Sequence, residues 1–358
     1  MSFRLRRDLS SRGMSSTATS ATERDAVLLQ LALRGDARAY EELVSRHRSA
    51  LHAHCYRMLG SLDDADDALQ EALLRAWRSL KRFEQRSSFR TWLYKIATNS
   101  ALQLAGRRPR RRLSSGHGPA VAPQPPREPL SESVWIEPYP DEFLELEDRT
   151  TAPAARYEQR ESVELAFIAT VQHLPPRQRA VLLLRDVLDF SAREVADLLD
   201  ATVPSVNSAL QRARHTTAER VPDQSQQATL RSLGHGRARQ LVDSYMEAFE
   251  QADVDALVEL LTEDVAWSMP PFPTSFRGRD AVMPFLEEYP LTERWRHLPI
   301  YASGQLAVGC YLWRAKEGQY AAAVLDVLTL RGDRIAEVTA FIAPRLFSRF
   351  GLPAKLPA

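Results

Sequence analysis

The 358-residue sequence holds only two cysteines, Cys55 and Cys310. They fall in segments of different patterning, and neither has a second cysteine at ligand spacing, so neither a zinc site nor a disulfide framework is expected. A reducing cytoplasm fits that pattern. No apolar run approaches the length of a membrane span. Charge of one sign is also scarce: Lys and Arg number 47 against 46 Asp and Glu, a formal net charge of +1. Any nucleic-acid binding must therefore rest on where the charge sits. The first 22 residues carry Arg and Ser but no hydrophobic segment, which excludes a secretory signal. Residues 1–33 are expected to be a disordered extension, with Met14 an alternative start.

What the chain does have is a helix-turn-helix pattern at 174–218. Leu174-Pro175-Pro176 opens a helix with Ala180, Leu183, Leu184 and Val187 on one face. Ser191 and Glu194 have the spacing of a capping box for a second helix. Asp200-Ala201-Thr202 forms a turn, and Thr202 is placed to cap a third. There Val206, Leu210 and Ala213 share one face, which leaves Ser205, Ser208, Gln211, Arg212 and His215 outward. Short polar residues ahead of Arg suit base edges first and phosphates after. A basic helical hairpin without nucleic acid is the plainer reading of this stretch alone.

Upstream, apolar residues recur at helical spacing from Asp36 to Leu59, and Gly60 ends that helix. Acidic Asp63 and Asp64 open the next, which buries Ala65, Ala68, Leu69, Ala72, Leu73, Ala76, Trp77 and Leu80. Its other face carries Asp64, Asp67, Gln70, Glu71, Leu74, Arg75 and Arg78, a pattern that by itself reads as a solvated face. In 83–99 aromatics interleave with cations, the chemistry of single-strand capture by stacking and backbone neutralisation. Phe89, Trp92, Leu93 and Ile96 fit the buried stripe of a helix, so the polar residues and the loop Phe83–Ser88 are the binding candidates. Arg107-Arg108-Pro109-Arg110-Arg111-Arg112 then forms a phosphate-binding patch.

The strings DADDALQEALLRAW, SSFRTWLYKIATNSAL, LPPRQRAVLLLRDV and TVPSVNSALQRAR, in this order, resemble the extracytoplasmic-function sigma factors of bacterial RNA polymerase, over about 34–220. The resemblance implies that 34–112 form a helical region 2 domain, which opens and reads a −10 promoter element with Arg86, Ser88, Arg90, Tyr94, Thr98, Asn99, Arg107 and Arg108. It gives Asp64, Asp67, Gln70, Glu71, Leu74, Arg75 and Arg78 a role in docking on the core polymerase β and β′ subunits, in place of a merely solvated face. It makes 161–222 a region 4 domain that reads a −35 element with Ser205, Asn207, Ser208, Gln211, Arg212 and Arg214. Whether a separate anti-sigma protein exists is left open.

Between these blocks, 113–160 begins Gly- and Pro-rich and then turns acidic. It contains Trp135-Ile136-Glu137-Pro138-Tyr139-Pro140-Asp141, a stiff extended peptide with aromatic anchors. A pure spacer needs no Trp or Tyr, so Trp135, Pro138, Tyr139, Pro140 and Asp141 are expected to dock. The motif resembles the linker of sigma factors that carry an extra C-terminal domain.

From His235 the pattern is helices first and an antiparallel sheet after, an α+β unit. Trp267-Ser268-Met269-Pro270-Pro271 and a following Gly278-Arg279-Asp280 helix resemble the SnoaL-like branch of the nuclear-transport-factor-type cone fold over 237–345, leaving 346–358 as a tail. Some sigma factors with this extension carry an Asp-Gly-Gly-Gly-Lys segment, which is missing here. Such cones enclose a pocket, and Trp267, Met269, Trp313 and Asp326 are its candidate residues. Asp326 sits within an apolar run and is the candidate for a perturbed carboxylate. His297 lies in a strand, but no acid–base pair is visible.

The fold class expected is therefore multidomain: two all-α helical domains, the second a helix-turn-helix, followed by an α+β cone-shaped SnoaL-like domain. The function expected is that of a cytoplasmic sigma factor, a promoter-specificity subunit and not an enzyme. It works on core RNA polymerase and promoter DNA, without cofactor, metal or membrane. Its C-terminal domain would modulate activity by packing on the linker or sensing a ligand. Two alternatives stand beside it, a stand-alone helix-turn-helix regulator and an isomerase or cyclase fused to a DNA-binding region.

Overall fold

The computed structural model describes residues 17–113, 134–145, 153–220, 222 and 224–358. They divide into two compact units, one within 1–108, 144–149 and 170–223, the other within 109–143, 150–169 and 224–358. Each is taken by itself.

The first unit opens with α1 (Thr17–Leu33), so the expected disordered extension is in part a helix, with Leu28 and Ala32 buried. Residues 1–16 lie outside the described residues. α2 (Ala37–Leu59) starts where the Asp36 carboxylate accepts from the Arg38 and Ala39 amides, and stops at Gly60, whose φ of 70° suits a residue without Cβ. α3 (Leu62–Ser79) is capped by Ser61, and α4 (Phe89–Ala105) by Ser88. Their small and apolar faces, such as Ala65, Ala72 and Ala76 of α3, allow close packing with α2 and α4.

The same unit contains the helix-turn-helix. The end of α7 (Leu165–Gln172) leads into α8 (Pro176–Leu182), extended by a π turn at Leu183–Val187. α9 (Ala192–Leu198) begins with both halves of the Ser191–Glu194 capping box, and α10 (Val203–Ala218) with the Thr202 cap, as the spacing predicts. Asp189 and Asp200 turn the chain with φ of 59° and 47°, conformations that Asp tolerates better than most residues. Buried Arg179 joins this part to the first helices. It donates to the Val171, Gln172 and Leu174 carbonyls at 2.9, 3.0 and 3.2 Å and also to the Met58 carbonyl.

The second unit is an α+β cone. α11 (Gln226–Leu233), α12 (His235–Gln251), α13 (Val254–Leu260) and α14 (Arg279–Glu288) accompany a seven-stranded sheet. Its strands are β1 (Leu261–Ser268), β2 (Ser275–Arg277), β3 (Trp295–Ala302), β4 (Gln305–Arg314), β5 (Gln319–Arg331), β6 (Arg334–Phe341) and β7 (Lys355–Leu356). The order is β2-β1-β6-β5-β4-β3, with β7 on β5. The expectation of an antiparallel sheet holds except between β1 and β6, which run parallel. The residues after 345 are no tail: Leu346, Phe347 and Phe350 are buried and β7 pairs with β5. The short helices α5 (Glu142–Glu145) and α6 (Pro153–Glu161) interrupt the linker, and 150–169 fall in the same compact unit as the cone.

Candidate polymerase and promoter interfaces

α10 turns Val206, Leu210 and Ala213 inward and leaves Ser205, Asn207, Ser208, Gln211, Arg212 and Arg214 all exposed. Among the described residues Arg212 has no ion pair. Arg214 forks onto the Asp186 carboxylate at 2.9 and 2.6 Å. A two-point pair of this geometry fixes the end of α10 against the end of the first helix of the motif. Asp186 was not anticipated, because the partner lies 28 positions away and only folding brings it near.

Of the expected −10 residues, Arg86, Ser88, Arg90, Asn99, Arg107 and Arg108 are exposed. Ser88 spends its hydroxyl oxygen on the Thr91 amide at 3.0 Å, and Arg86 pairs with Glu84. Tyr94 and Thr98 are corrections, since both are buried. Thr98 Oγ1 meets His54 Nε2 at 2.8 Å. Burial, with the Arg57 and Arg90 cations near, pushes the His54 imidazole down to about 3, so it packs as a neutral ring. The Tyr94 ring lies edge-on to His54 and to Phe190 of the helix-turn-helix. The Arg90 guanidinium lies 4.9 Å from the Tyr94 and Phe190 ring centres. Lys95 Nζ donates to the Asp197 carbonyl at 2.8 Å and the Asp200 carboxylate at 2.7 Å. Part of the face of α4 expected to read the −10 element is thus covered by the helix-turn-helix within the same unit.

On α3, Asp67, Gln70, Leu74 and Arg78 are exposed and Glu71 and Arg75 half-buried, forming one continuous charged face. Leu74 keeps 45% of its surface open there. Asp64 is a correction: it is 4% exposed and its carboxylate pairs with Arg108 at 3.3 Å. Its position in the first turn of α3 points it inward, away from the exposed charged face. The basic run is also divided. Arg107, Arg108, Arg110 and Arg112 are exposed, whereas Arg111 is buried and donates to the Trp135 carbonyl at 2.9 Å.

Within the second unit the peptide 135–141 is buried along its whole length. The Trp135 indole N–H donates to the Pro271 carbonyl at 3.0 Å, and Arg345 reaches Glu137 at 2.7 Å. Tyr139 and Ser303 exchange two hydrogen bonds, from the Tyr139 amide to Ser303 Oγ at 2.9 Å and from the Ser303 amide to the Tyr139 carbonyl at 2.7 Å. The Gly304 amide donates to Asp141 Oδ1 at 2.8 Å. The aromatic anchors and prolines therefore sit where a docking peptide requires them. Its hydrogen bonds to Ser303 and Gly304 had no sequence signal.

The four candidate pocket residues do not line one space. Trp267 and Met269 pack in the main core of the cone, while Trp313 joins Tyr311, Tyr320 and Phe347 in a separate cluster. Asp326 is buried, with the Tyr245 hydroxyl donating to it at 2.9 Å and the Cys310 thiol 3.4 Å away. Burial pushes its carboxyl up to about 6, against the hydrogen bonds from Tyr245 and Cys310 and the nearby His297. His297 Nδ1 lies 3.1 Å from Glu250, a pairing that the sequence pattern did not reveal. Among the described residues no group of three or more His, Cys, Asp or Glu is arranged to hold a metal, and no helix is long and apolar enough to cross a membrane.

Comparison with known proteins finds three families in order along the chain. Residues 43–111 match the Sigma-70 region 2 family, 164–216 the Sigma-70, region 4 family, and 242–338 the SnoaL-like domain family. The chain is 41% identical over 327 residues to the ECF RNA polymerase sigma factor SigG of Mycobacterium tuberculosis, covering 90% of this chain and 85% of that protein. It is 31% identical over 199 residues to the RNA polymerase sigma-H factor of Pseudomonas aeruginosa, covering 54% of this chain and 91% of that one. Among solved structures the fold is similar to the extracytoplasmic function sigma factor SigJ of Mycobacterium tuberculosis, with a TM-score of 0.52 and 20% identity, covering 88% of this chain and 99% of that chain. Two sigma regions in order, a SnoaL-like domain behind them and this degree of identity across nine-tenths of the sequence place the chain among the extracytoplasmic-function RNA polymerase sigma factors, which are transcription initiation factors and not enzymes.

Proposed function

We propose that this sigma factor reads a −35 element with Ser205, Asn207, Ser208, Gln211 and Arg212, and that Arg214 serves mainly to hold α10 in place through Asp186. The observation that carries the assignment is the wholly exposed polar face of α10, backed by three buried apolar residues at helical spacing. Asp67, Gln70, Glu71, Leu74, Arg75 and Arg78 dock on the core polymerase β and β′ subunits. Arg86, Arg90, Asn99, Arg107 and Arg108 follow the −10 strand, with Ser88 capping the start of α4, which carries Arg90 and Asn99. The two cysteines are buried as free thiols, which suits work in the cytoplasm.

Tyr94, which packs on Phe190, becomes available to DNA only after the helix-turn-helix leaves α4, whereas Thr98 stays bonded to His54 of α2. The two promoter elements are about 25 base pairs apart, roughly 80 Å of B-form duplex at 3.4 Å per pair. No state with Lys95 bonded to Asp200 spans that distance, so promoter reading requires this contact to open. The C-terminal domain modulates the change by holding the 135–141 strap. In run-off transcription with reconstituted core polymerase, Arg212→Ala lowers output from a cognate promoter, and Trp135→Ala changes output while leaving promoter choice intact. Output untouched by both substitutions would refute the assignment.

A further inference from the structure

Four segments far apart in sequence meet at the turn Ser303–Gln305 between β3 and β4, and every contact lies within the second unit. The strap arrives as Tyr139–Asp141, bonded to Ser303 and Gly304 as described above. The chain entering the helix-turn-helix arrives as Arg160–Leu165. Arg160 stands 3.7 Å from the Asp141 carboxylate, and the Leu165 amide donates to Gln305 Oε1 at 3.2 Å. The chain leaving the helix-turn-helix arrives as Ser225–Gln227, at the start of α11. The amides of Gln226 and Gln227 donate to the two Glu164 oxygens at 3.0 and 2.8 Å, and the Ser225 hydroxyl donates to Glu161 at 2.7 Å.

Side-chain amides finish the assembly. Gln227 Nε2 donates to the Gly304 carbonyl. Gln226 exchanges two hydrogen bonds with the Leu330 backbone, at 3.0 and 2.7 Å, and Gln305 reaches the Leu328 carbonyl at 3.2 Å and Thr329 Oγ1 at 3.0 Å. Glu164, Gln226, Gln227, Ser303 and Gln305 are all buried. A buried network of this kind is strong only when every member is satisfied, so losing one link weakens the others. Gly304 is its tightest point. Its φ is +67°, and a Cβ there would stand 2.9 Å from the Arg160 carbonyl oxygen.

We infer that the Ser303–Gln305 turn is a single control point, at which the cone domain holds the linker strap and both chain ends of the helix-turn-helix together. Release at this turn frees all three at once. The strap and the −35 reader are thereby switched as one element, and the cone domain acts on promoter reading through the ends of region 4 as well as through Trp135. The inference rests on the reading of the strap as regulatory, but its mechanical part is testable without polymerase.

The experiment is amide hydrogen exchange on the full-length protein and on Gly304→Ala and Gln227→Ala, followed by run-off transcription from the same preparations. Gln227→Ala removes one link without backbone strain and covers the case in which Gly304→Ala does not fold. In each folded variant, exchange at Tyr139, Leu165, Gln226 and Gln227 rises together by about tenfold or more, while the β4–β5 ladder stays protected. Promoter output shifts by about twofold or more, as expected when a two-state element is biased by RT ln 2 or more. Faster exchange confined to Gln227 and its immediate neighbours, with Tyr139 and Leu165 still protected, overturns the inference. Joint release with unchanged output overturns the control role while leaving promoter recognition standing. Failure of the unaltered protein to support transcription at all is the separate result that would remove the underlying reading.

Discussion

Lys95 on α4 holds the Asp200 carboxylate at 2.7 Å, joining the helix expected to follow the −10 strand to the turn that precedes the −35 reading helix. If Lys95 meets a DNA phosphate, Asp200 competes with that phosphate for the same cation. The pair is exposed, with Asp200 at 77% of its side-chain surface, so its worth is at most about 1 kcal/mol. Asp200→Asn, which removes the charge but keeps a residue suited to φ 47°, should leave the melting temperature nearly unchanged. The same variant should bind a single-stranded −10 oligonucleotide about two- to fivefold more tightly at low salt, measured by fluorescence anisotropy. A weaker complex would mean that Asp200 does not compete with DNA.

Arg214 and Asp186 form the other testable pair. If Arg214 acts by placing α10, Asp186→Ala and Arg214→Ala should weaken −35 duplex recognition by similar factors, and the double substitution should add little to either. Transcription from promoters with single −35 substitutions measures this. A fully additive double variant would assign Arg214 a direct contact instead.

Leu74 offers a test of the polymerase face that separates binding from folding. Because it is 45% exposed, Leu74→Ala should cost the free protein well under the price of a buried leucine. Its affinity for core polymerase should drop about tenfold if the side chain enters a pocket on the partner. Unchanged affinity in a core-binding titration would move the interface elsewhere.

Asp326 gives a pH signature for the cone. Its carboxyl is raised from an ordinary 3.8 to about 6, so the folded state favours the protonated form. That contribution is complete below about pH 4 and is lost as pH rises through 6, a change of about 3 kcal/mol by linkage. Asp326→Asn should flatten the dependence of thermal stability between pH 4 and 7 and raise the melting temperature at pH 7. A steeper profile in the variant would show that the carboxylate is held charged and satisfied.

The elements most legible in the sequence were those written in local rules. The Ser191–Glu194 capping box, the Thr202 cap and the inward stripe Val206, Leu210 and Ala213 all depend on residues within one or two helical turns, and all appear as expected. The aromatic and proline spacing of 135–141 likewise marks a docking peptide, because a solvated spacer has no use for Trp135 or Tyr139. What misled was the assumption that a polar or aromatic residue on a binding helix faces outward. Tyr94 and Thr98 are turned under α4 by His54 and Phe190, which are 40 and 96 residues from Tyr94 in sequence. Asp64 is likewise turned inward, where its carboxylate meets Arg108.

The sequence by itself determined that there are two helical promoter-reading blocks, an acidic strap between them and a cone behind, because patterning, capping and motif order are short-range properties. Only the tertiary structure decided which of those polar residues are free and which are spent. It gave Arg111 to Trp135, Arg214 to Asp186, Lys95 to Asp200, and Glu164 to the start of α11. The physical reason is that a buried donor or acceptor must find a partner wherever the chain brings one, and that choice is fixed by folding across tens of residues rather than by any neighbour in sequence.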